Sequence, residues 1–198
     1  MFLTQIKNIS IRKNQITKAD PDKNRGLMHR AITFSLAPNQ GSKFLFRYDK
    51  EEQLLILVSE YKPSFDYFNQ FFEINKDSIK QITYEDRFKN IKENEQYRFY
   101  IETNAVTRHD GKNQKPVLEK ENLISWMEQR ANNNGFTILH TEEIETKTVK
   151  GKQSIPLYIA EFSGILQITD IEKFKNALIN GVGRSKTYGC GLLWIERI

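Results

Sequence analysis

Two stretches of this sequence hold residue types that could do chemistry on a phosphate. The first runs Gly181-Val182-Gly183-Arg184-Ser185-Lys186-Thr187-Tyr188-Gly189-Cys190-Gly191 and continues into Leu192-Leu193-Trp194. Glycine permits φ > 0 and close backbone approach. Successive N–H groups in a turn of this kind form a concave anion site, and Arg184 and Lys186 add full positive charge. Gly181, Gly183, Arg184 and Ser185 are therefore candidate contacts to a phosphodiester backbone. Two other glycine motifs do not fit. A dinucleotide fingerprint opens a helix after a strand, and a P-loop needs Gly-Lys-Ser/Thr opening a helix. Here the glycines follow a helical segment and run into a strand. A plain helix C-cap at Gly181 with a tight turn is the alternative.

The second stretch surrounds His29. Arg25, His29 and Thr33 recur every four residues and share a polar stripe, with Arg30 beside them. Imidazole is suited to proton transfer near neutral pH, although a single histidine on a helix is also commonly inert. Arg25 and Arg30 flank it and are candidate phosphate contacts. Further basic groups fall in two places. Arg108, His109, Lys112 and Lys115 lie in a polar segment, and Lys147, Lys150 and Lys152 lie at a hairpin tip. Charge on a hairpin tip often serves solubility alone, but it also suits reaching along a nucleic-acid backbone. His140 sits in a strand pattern and reads as structural or surface.

Other chemistries find little support. Cys190 is the only cysteine, so neither an internal disulfide nor a cysteine zinc cluster is expected. There is no His-Glu-x-x-His, no paired-aspartate motif and no Ser/His/Asp arrangement. Neither a metal nor a small-molecule cofactor is expected.

These residues must be positioned by a chain of 198 residues, 38% hydrophobic and 12% aromatic, enough for one large or two small cores. Thirty Lys and Arg against 25 Asp and Glu give a net charge of +5, a moderate bias that suits a polyanionic partner. No apolar run approaches membrane-spanning length and no signal peptide is evident, so a cytoplasmic protein is expected. Periodicity predicts a strand over 2–9 and a helix from an Asp20-Pro21 cap to about Leu36, with Leu27, Met28, Ala31, Ile32, Ser35 and Leu36 inward. Strands follow at 43–48 and 53–60, then a short helix in 63–72 and a strand at 79–84. The order β-α-β-β-α-β is the ferredoxin-like unit. It repeats: a strand at 97–103, a polar basic loop over 104–116, a helix over 118–132 stopped near Gly135, a long hairpin from 136–149 to 153–168 turning at Lys150-Gly151-Lys152, a helix capped by Asp170, and a closing strand at 192–195. The predicted fold is α+β, with two ferredoxin-like (RRM-like) domains at 1–86 and 87–198. The aromatic RNP pattern of sheet-based RNA readers is absent, which favours shape and phosphate contacts over base stacking.

Several of these segments resemble CasE, the family of CRISPR repeat-processing endoribonucleases of type I-E (Cascade) systems. The loop Gly181 to Leu193 resembles the family's glycine-rich loop and is the most specific piece. Met1-Phe2-Leu3-Thr4 resembles its opening strand, Leu27-Met28-His29-Arg30 its histidine segment, Tyr97-Arg98-Phe99 with Thr103-Asn104-Ala105 its mid-chain strand and loop, and Ser125-Trp126-Met127-Glu128 its second-domain helix. The resemblance implies tandem ferredoxin-like domains that bind the CRISPR repeat stem-loop RNA, cut the 3′ side of its base and stay with other Cascade subunits. It places the family histidine at His29 and the loop lysine at Lys186. Gly26 stands where some members carry a tyrosine. The implied reaction is metal-independent attack of a ribose 2′-OH on the adjacent phosphorus, with Arg108, Lys112, Lys147, Lys150 and Lys152 along the RNA backbone. A non-catalytic RNA-binding subunit of the same fold is the alternative. An unrelated small-molecule enzyme would need a cofactor motif or convergent carboxylates, and neither is found.

Overall fold

The computed structural model describes residues 1–12, 25–37, 41–109, 113–150 and 156–198. The chain divides into two compact units. The first comprises Met1–Lys89 with Val149–Pro156 and Thr187–Gly189, and the second Asn90–Thr148, Leu157–Lys186 and Cys190–Ile198.

In the first unit, β1 (Phe2–Ile6) ends before Asn8, whose φ of 54° takes the chain out of extended geometry. A short β2 (Ser10–Ile11) follows, and then α1 (Arg25–Ser35). The inward stripe expected of this helix is buried in full: Leu27, Met28, Ala31, Ile32, Ser35 and Leu36. The predicted Asp20-Pro21 cap lies outside the described residues. β3 (Phe44–Asp49) and β4 (Leu54–Ser59) form a hairpin whose turn is closed by the Glu52 N–H donating to Asp49 Oδ1 at 3.0 Å. Where a helix is predicted over 63–72, only one turn forms, α2 (Phe65–Phe68). The chain then straightens into β5 (Phe72–Glu73), which pairs with β2, while Phe68 and Phe72 stack at 4.8 Å and Arg12 donates to the Asn69 carbonyl. These long-range partners outcompete a second helical turn. β6 (Ile79–Thr83) completes a sheet ordered β3-β4-β1-β6, in which each neighbouring pair is antiparallel. Ile6, Phe46, Leu55 and Leu57 of this sheet pack with Met28, Ala31 and Ile32 of α1 in one core cluster.

The second unit repeats the plan. Its elements are β7 (Gln96–Asn104), β8 (Val106–His109), β9 (Asn113–Pro116), α3 (Lys120–Asn133), β10 (Phe136–Lys150), β11 (Pro156–Ile168), α4 (Ile171–Asn180) and β12 (Trp194–Arg197), with Val149 and Lys150 of β10 and Pro156 of β11 counted in the first unit. The sheet order β10-β11-β7-β12 is that of the first sheet, strand for strand. This is the tandem ferredoxin-like fold, β-α-β-β-α-β twice. The segment read as a loop over 104–116 is instead a β8–β9 hairpin, paired from Val106↔Pro116 to His109↔Asn113. Its signal was Asp110-Gly111 between two short runs, masked by the polarity around it. The closing strand lies two residues later than expected, because Leu192 and Leu193 are spent in the core.

α3 ends as the glycine predicts. Gly135 takes φ = 77°, and its carbonyl accepts from the Thr169 and Asp170 N–H groups at 2.9 and 3.1 Å. Asp170 in turn caps α4, its Oδ1 accepting from the Lys173 N–H at 3.0 Å. A Cβ on Gly135 would strike the Asp170 carbonyl and lie 2.8 Å from the Lys173 Cβ. Gly135→Ala is therefore expected to cost about 1–3 kcal/mol in denaturant unfolding. The Lys173 side chain, and then its N–H, hold the Asp170 carboxyl below the usual aspartate range. A depressed folded-state value stabilises above the unfolded value of about 3.9 and is lost as pH falls through the folded one. Asp170→Asn should thus lower the urea midpoint at pH 7, and the gap from wild type should narrow as pH falls through the depressed folded-state value.

Candidate functional site

Helix α1 presents Arg25 and His29 one turn apart, and between them they bond to three successive residues of the first unit, Thr187–Gly189. His29 Nδ1 lies 3.1 Å from the Thr187 carbonyl. Arg25 Nη1 donates to the carbonyls of Tyr188 at 3.4 Å and Gly189 at 3.2 Å. A carbonyl oxygen only accepts, so Nδ1 carries a proton, and a neutral His29 ring holds its lone pair on Nε2. The half-buried ring rests against Tyr188 (centroids 5.0 Å) and Phe44 (5.8 Å). Thr33 continues the stripe by donating its Oγ1–H to the His29 carbonyl at 2.8 Å.

The backbone of 187–189 can approach α1 this closely because of Gly189. It adopts φ = 79°, and a Cβ there would strike Arg25 Nη1 and come within 2.9 Å of the Phe46 ring. Lys186 precedes Thr187 directly, opening the 3-10 turn Lys186–Tyr188, and is half-buried.

The remainder of the glycine-rich loop belongs to the second unit and is tied at several points. Gly181, at φ = 72°, is the C-cap of α4, and its N–H donates to the Ala177 carbonyl at 2.8 Å. The C-cap reading of Gly181 therefore holds, but it accounts for one glycine only. Val182 N–H donates to the Gly191 carbonyl at 2.8 Å, and Gly191 N–H to the Glu102 carbonyl at 2.6 Å, which closes the loop at its base. A side chain at Gly191 would strike the Val182 carbonyl. Gly183 (φ = 85°) and Ser185 (φ = 58°) carry the left-handed turns between. Ser185 Oγ accepts from Asn104 Nδ2 at 2.9 Å, an anchor that composition alone does not reveal. Arg184 is exposed.

The other expected phosphate contacts divide. Arg30 is exposed on α1, and Lys150 is exposed at the last residue of β10. Lys112 and Lys152 lie outside the described residues, and Arg108 is on β8. Arg25 is a correction. Periodicity puts it on the polar stripe, yet it is only 1% exposed. Its guanidinium is turned onto loop carbonyls instead of being offered to a phosphate. Lys147 differs too. It lies within β10, not at the hairpin tip, and its ammonium sits 2.5 Å from Glu161 Oε1 and 3.8 Å from Glu102 Oε1. Glu102 is only 4% exposed and stands directly across from Glu161 on the neighbouring strand. Two facing carboxylates repel. Lys147 and the Tyr100 hydroxyl, 2.9 Å from Glu161 Oε2, offset that repulsion. Sequence reading could not see this cluster, because its members come from three strands.

Among the described residues no group of His, Cys, Asp or Glu side chains is placed to hold a metal ion, and no helix is long and apolar enough to cross a membrane.

Comparison with solved structures finds the same fold. CRISPR endoribonuclease Cse3 bound to a 19-nucleotide RNA superposes with a TM-score of 0.79 at 19% identity, over 98% of this chain and 97% of that one. Thermus thermophilus Cse3, bound to an RNA representing a pre-cleavage complex, gives 0.77 at 20% identity over 98% of both chains. The CRISPR-associated protein Cas6e from Escherichia coli K-12 gives 0.70 at 19% identity over the full length of both. No curated protein matches by sequence. The model of the family described as CRISPR associated protein matches residues 1–197. With that match spanning almost the whole sequence, the chain belongs to the CRISPR associated protein family.

Proposed function

We propose that this protein is an endoribonuclease that cuts CRISPR precursor RNA at the 3′ base of the repeat stem-loop and retains the product within a CRISPR RNA-guided surveillance complex. The observation that carries the reading is His29 of α1, held at Nδ1 by the carbonyl of Thr187, the residue after Lys186 in the glycine-rich loop, so that Nε2 is the proton-exchanging atom. The reading is supported by the fold shared with an RNA-bound CRISPR endoribonuclease and with subunits of CRISPR RNA-guided surveillance complexes.

The chemistry follows from the substrate. The 2′-OH upstream of the scissile phosphate loses its proton and attacks phosphorus in line. The P–O5′ bond breaks, and the leaving oxygen takes a proton. The products are a 2′,3′-cyclic phosphate and a 5′-OH. The nucleophile is supplied by the RNA itself, so no metal is needed to generate it. His29 serves as base on the 2′-OH or as acid on the leaving oxygen, a contribution of typically ~10²–10⁴-fold. Lys186 and the loop N–H groups, among them those of Gly183, Arg184 and Ser185, stabilise the charge that grows on the phosphoryl oxygens. Arg30, Arg184 and Lys150 hold the RNA backbone, with Arg108, Lys112 and Lys152 as further contacts. Binding should weaken as salt rises.

Replacing the attacking 2′-OH by hydrogen should abolish cutting, and a chelator should leave cutting of the intact RNA unchanged. A cut deoxy substrate or a metal requirement contradicts the mechanism. His29→Ala should lose at least ~10²-fold in rate with RNA affinity nearly intact. Binding of the repeat with no cleavage by wild type would favour the non-catalytic RNA-binding subunit. Lys147→Ala should act elsewhere, lowering the unfolding midpoint as Glu102 and Glu161 lose their cation, while Lys150→Ala should weaken RNA binding without changing stability.

A further inference from the structure

We propose that Arg25 is a positioning residue that determines which nitrogen of His29 exchanges protons. The proposal rests on the reading of His29 as the proton-moving group. Three successive carbonyls, of Thr187, Tyr188 and Gly189, accept from two side chains of α1 at 3.1, 3.4 and 3.2 Å. Core packing does not call for a guanidinium at this place. Arg25 is almost fully buried, where desolvation disfavours a cation. An apolar side chain would fill the same volume at lower cost. It could not hold two neighbouring carbonyls in place.

Gly189 fits this role, since any side chain there would meet Arg25 Nη1. With the Tyr188 and Gly189 carbonyls held, the peptide before them is held as well. The Thr187 carbonyl is then aimed at α1 and takes the Nδ1 proton of His29, while Phe44 and Tyr188 fix the plane of the ring. Arg25 acts through the loop on His29 and makes no contact with RNA in this arrangement. A free imidazole prefers its proton on Nε2, so the Nδ1–H form is one that the surroundings must impose.

The test reads the His29 ring directly. Its ¹⁵N and ¹³C shifts are recorded in the free, full-length protein above the imidazole titration, assigned with His29→Gln, for wild type, Arg25→Met and Arg25→Lys. Wild type is expected in the Nδ1–H form. Arg25→Met should move most of the population to Nε2–H. Arg25→Lys, which keeps a donor but lacks the guanidinium fork, should fall between. On repeat stem-loop RNA, Arg25→Met should lose ~10²-fold in kcat, as expected for a misplaced catalytic group, with little change in KM. A wild-type ring in the Nε2–H form overturns the proposal. So does an unchanged ring and kcat in Arg25→Met or, if that variant does not fold, in Arg25→Lys. Full activity of His29→Ala would overturn the nuclease reading of His29 while leaving the tautomer result standing, so the two failures are distinguishable.

Discussion

The contact on which this site depends is the grip of α1 on the backbone of Thr187–Gly189. Two side chains one helical turn apart hold three consecutive carbonyls. The helix can present them because its opposite face, Leu27 to Leu36, is locked in the core of the first sheet. The loop can accept them because Gly189 takes a positive φ and offers no side chain. An unsatisfied buried guanidinium would cost several kcal/mol. Arg25 and the segment it binds must therefore stay together, and His29 takes its geometry from the same segment.

Within the second unit the loop is constrained in a different way. Val182 and Gly191 close its base, Glu102 holds Gly191 through its carbonyl, and Asn104 holds Ser185. β7 supplies both anchors from near its end. The same strand carries Tyr100 and Glu102 into the carboxylate cluster with Glu161 and Lys147. β7 thus serves as more than a core strand. A Cβ at Gly191 would break the closure, as one at Gly189 would break the contact with α1. The left-handed turns at Gly183 and Ser185 lie between, so the N–H groups that would face a phosphate are carried on a short, fixed span.

Much of this was legible in the sequence. Periodicity gave the inward stripe of α1, the Asp170 cap and the glycine stop at Gly135. Element order gave both ferredoxin-like sheets. What could not be read was pairing at a distance. Arg25 lies on the polar stripe by period, and carbonyls 163 and 164 residues away turn it inward. Lys147 reads as a hairpin cation until Glu102 and Glu161 arrive from β7 and β11. The single turn of α2 and the β2–β5 pair reflect the same limit, since Ile11 and Phe72 meet only in the fold. The tautomer of His29 is likewise set by a backbone carbonyl, a group that every residue carries and that no motif marks.

The central claim is that the RNA supplies its own nucleophile and that His29 moves its proton. End-group analysis of the fragments, from repeat RNA incubated with the wild-type protein, tests it most directly. The account predicts an upstream fragment ending in a 2′,3′-cyclic phosphate and a downstream fragment beginning with a 5′-OH. A 3′-OH paired with a 5′-phosphate would mean that water or another external group attacks phosphorus, and would contradict it.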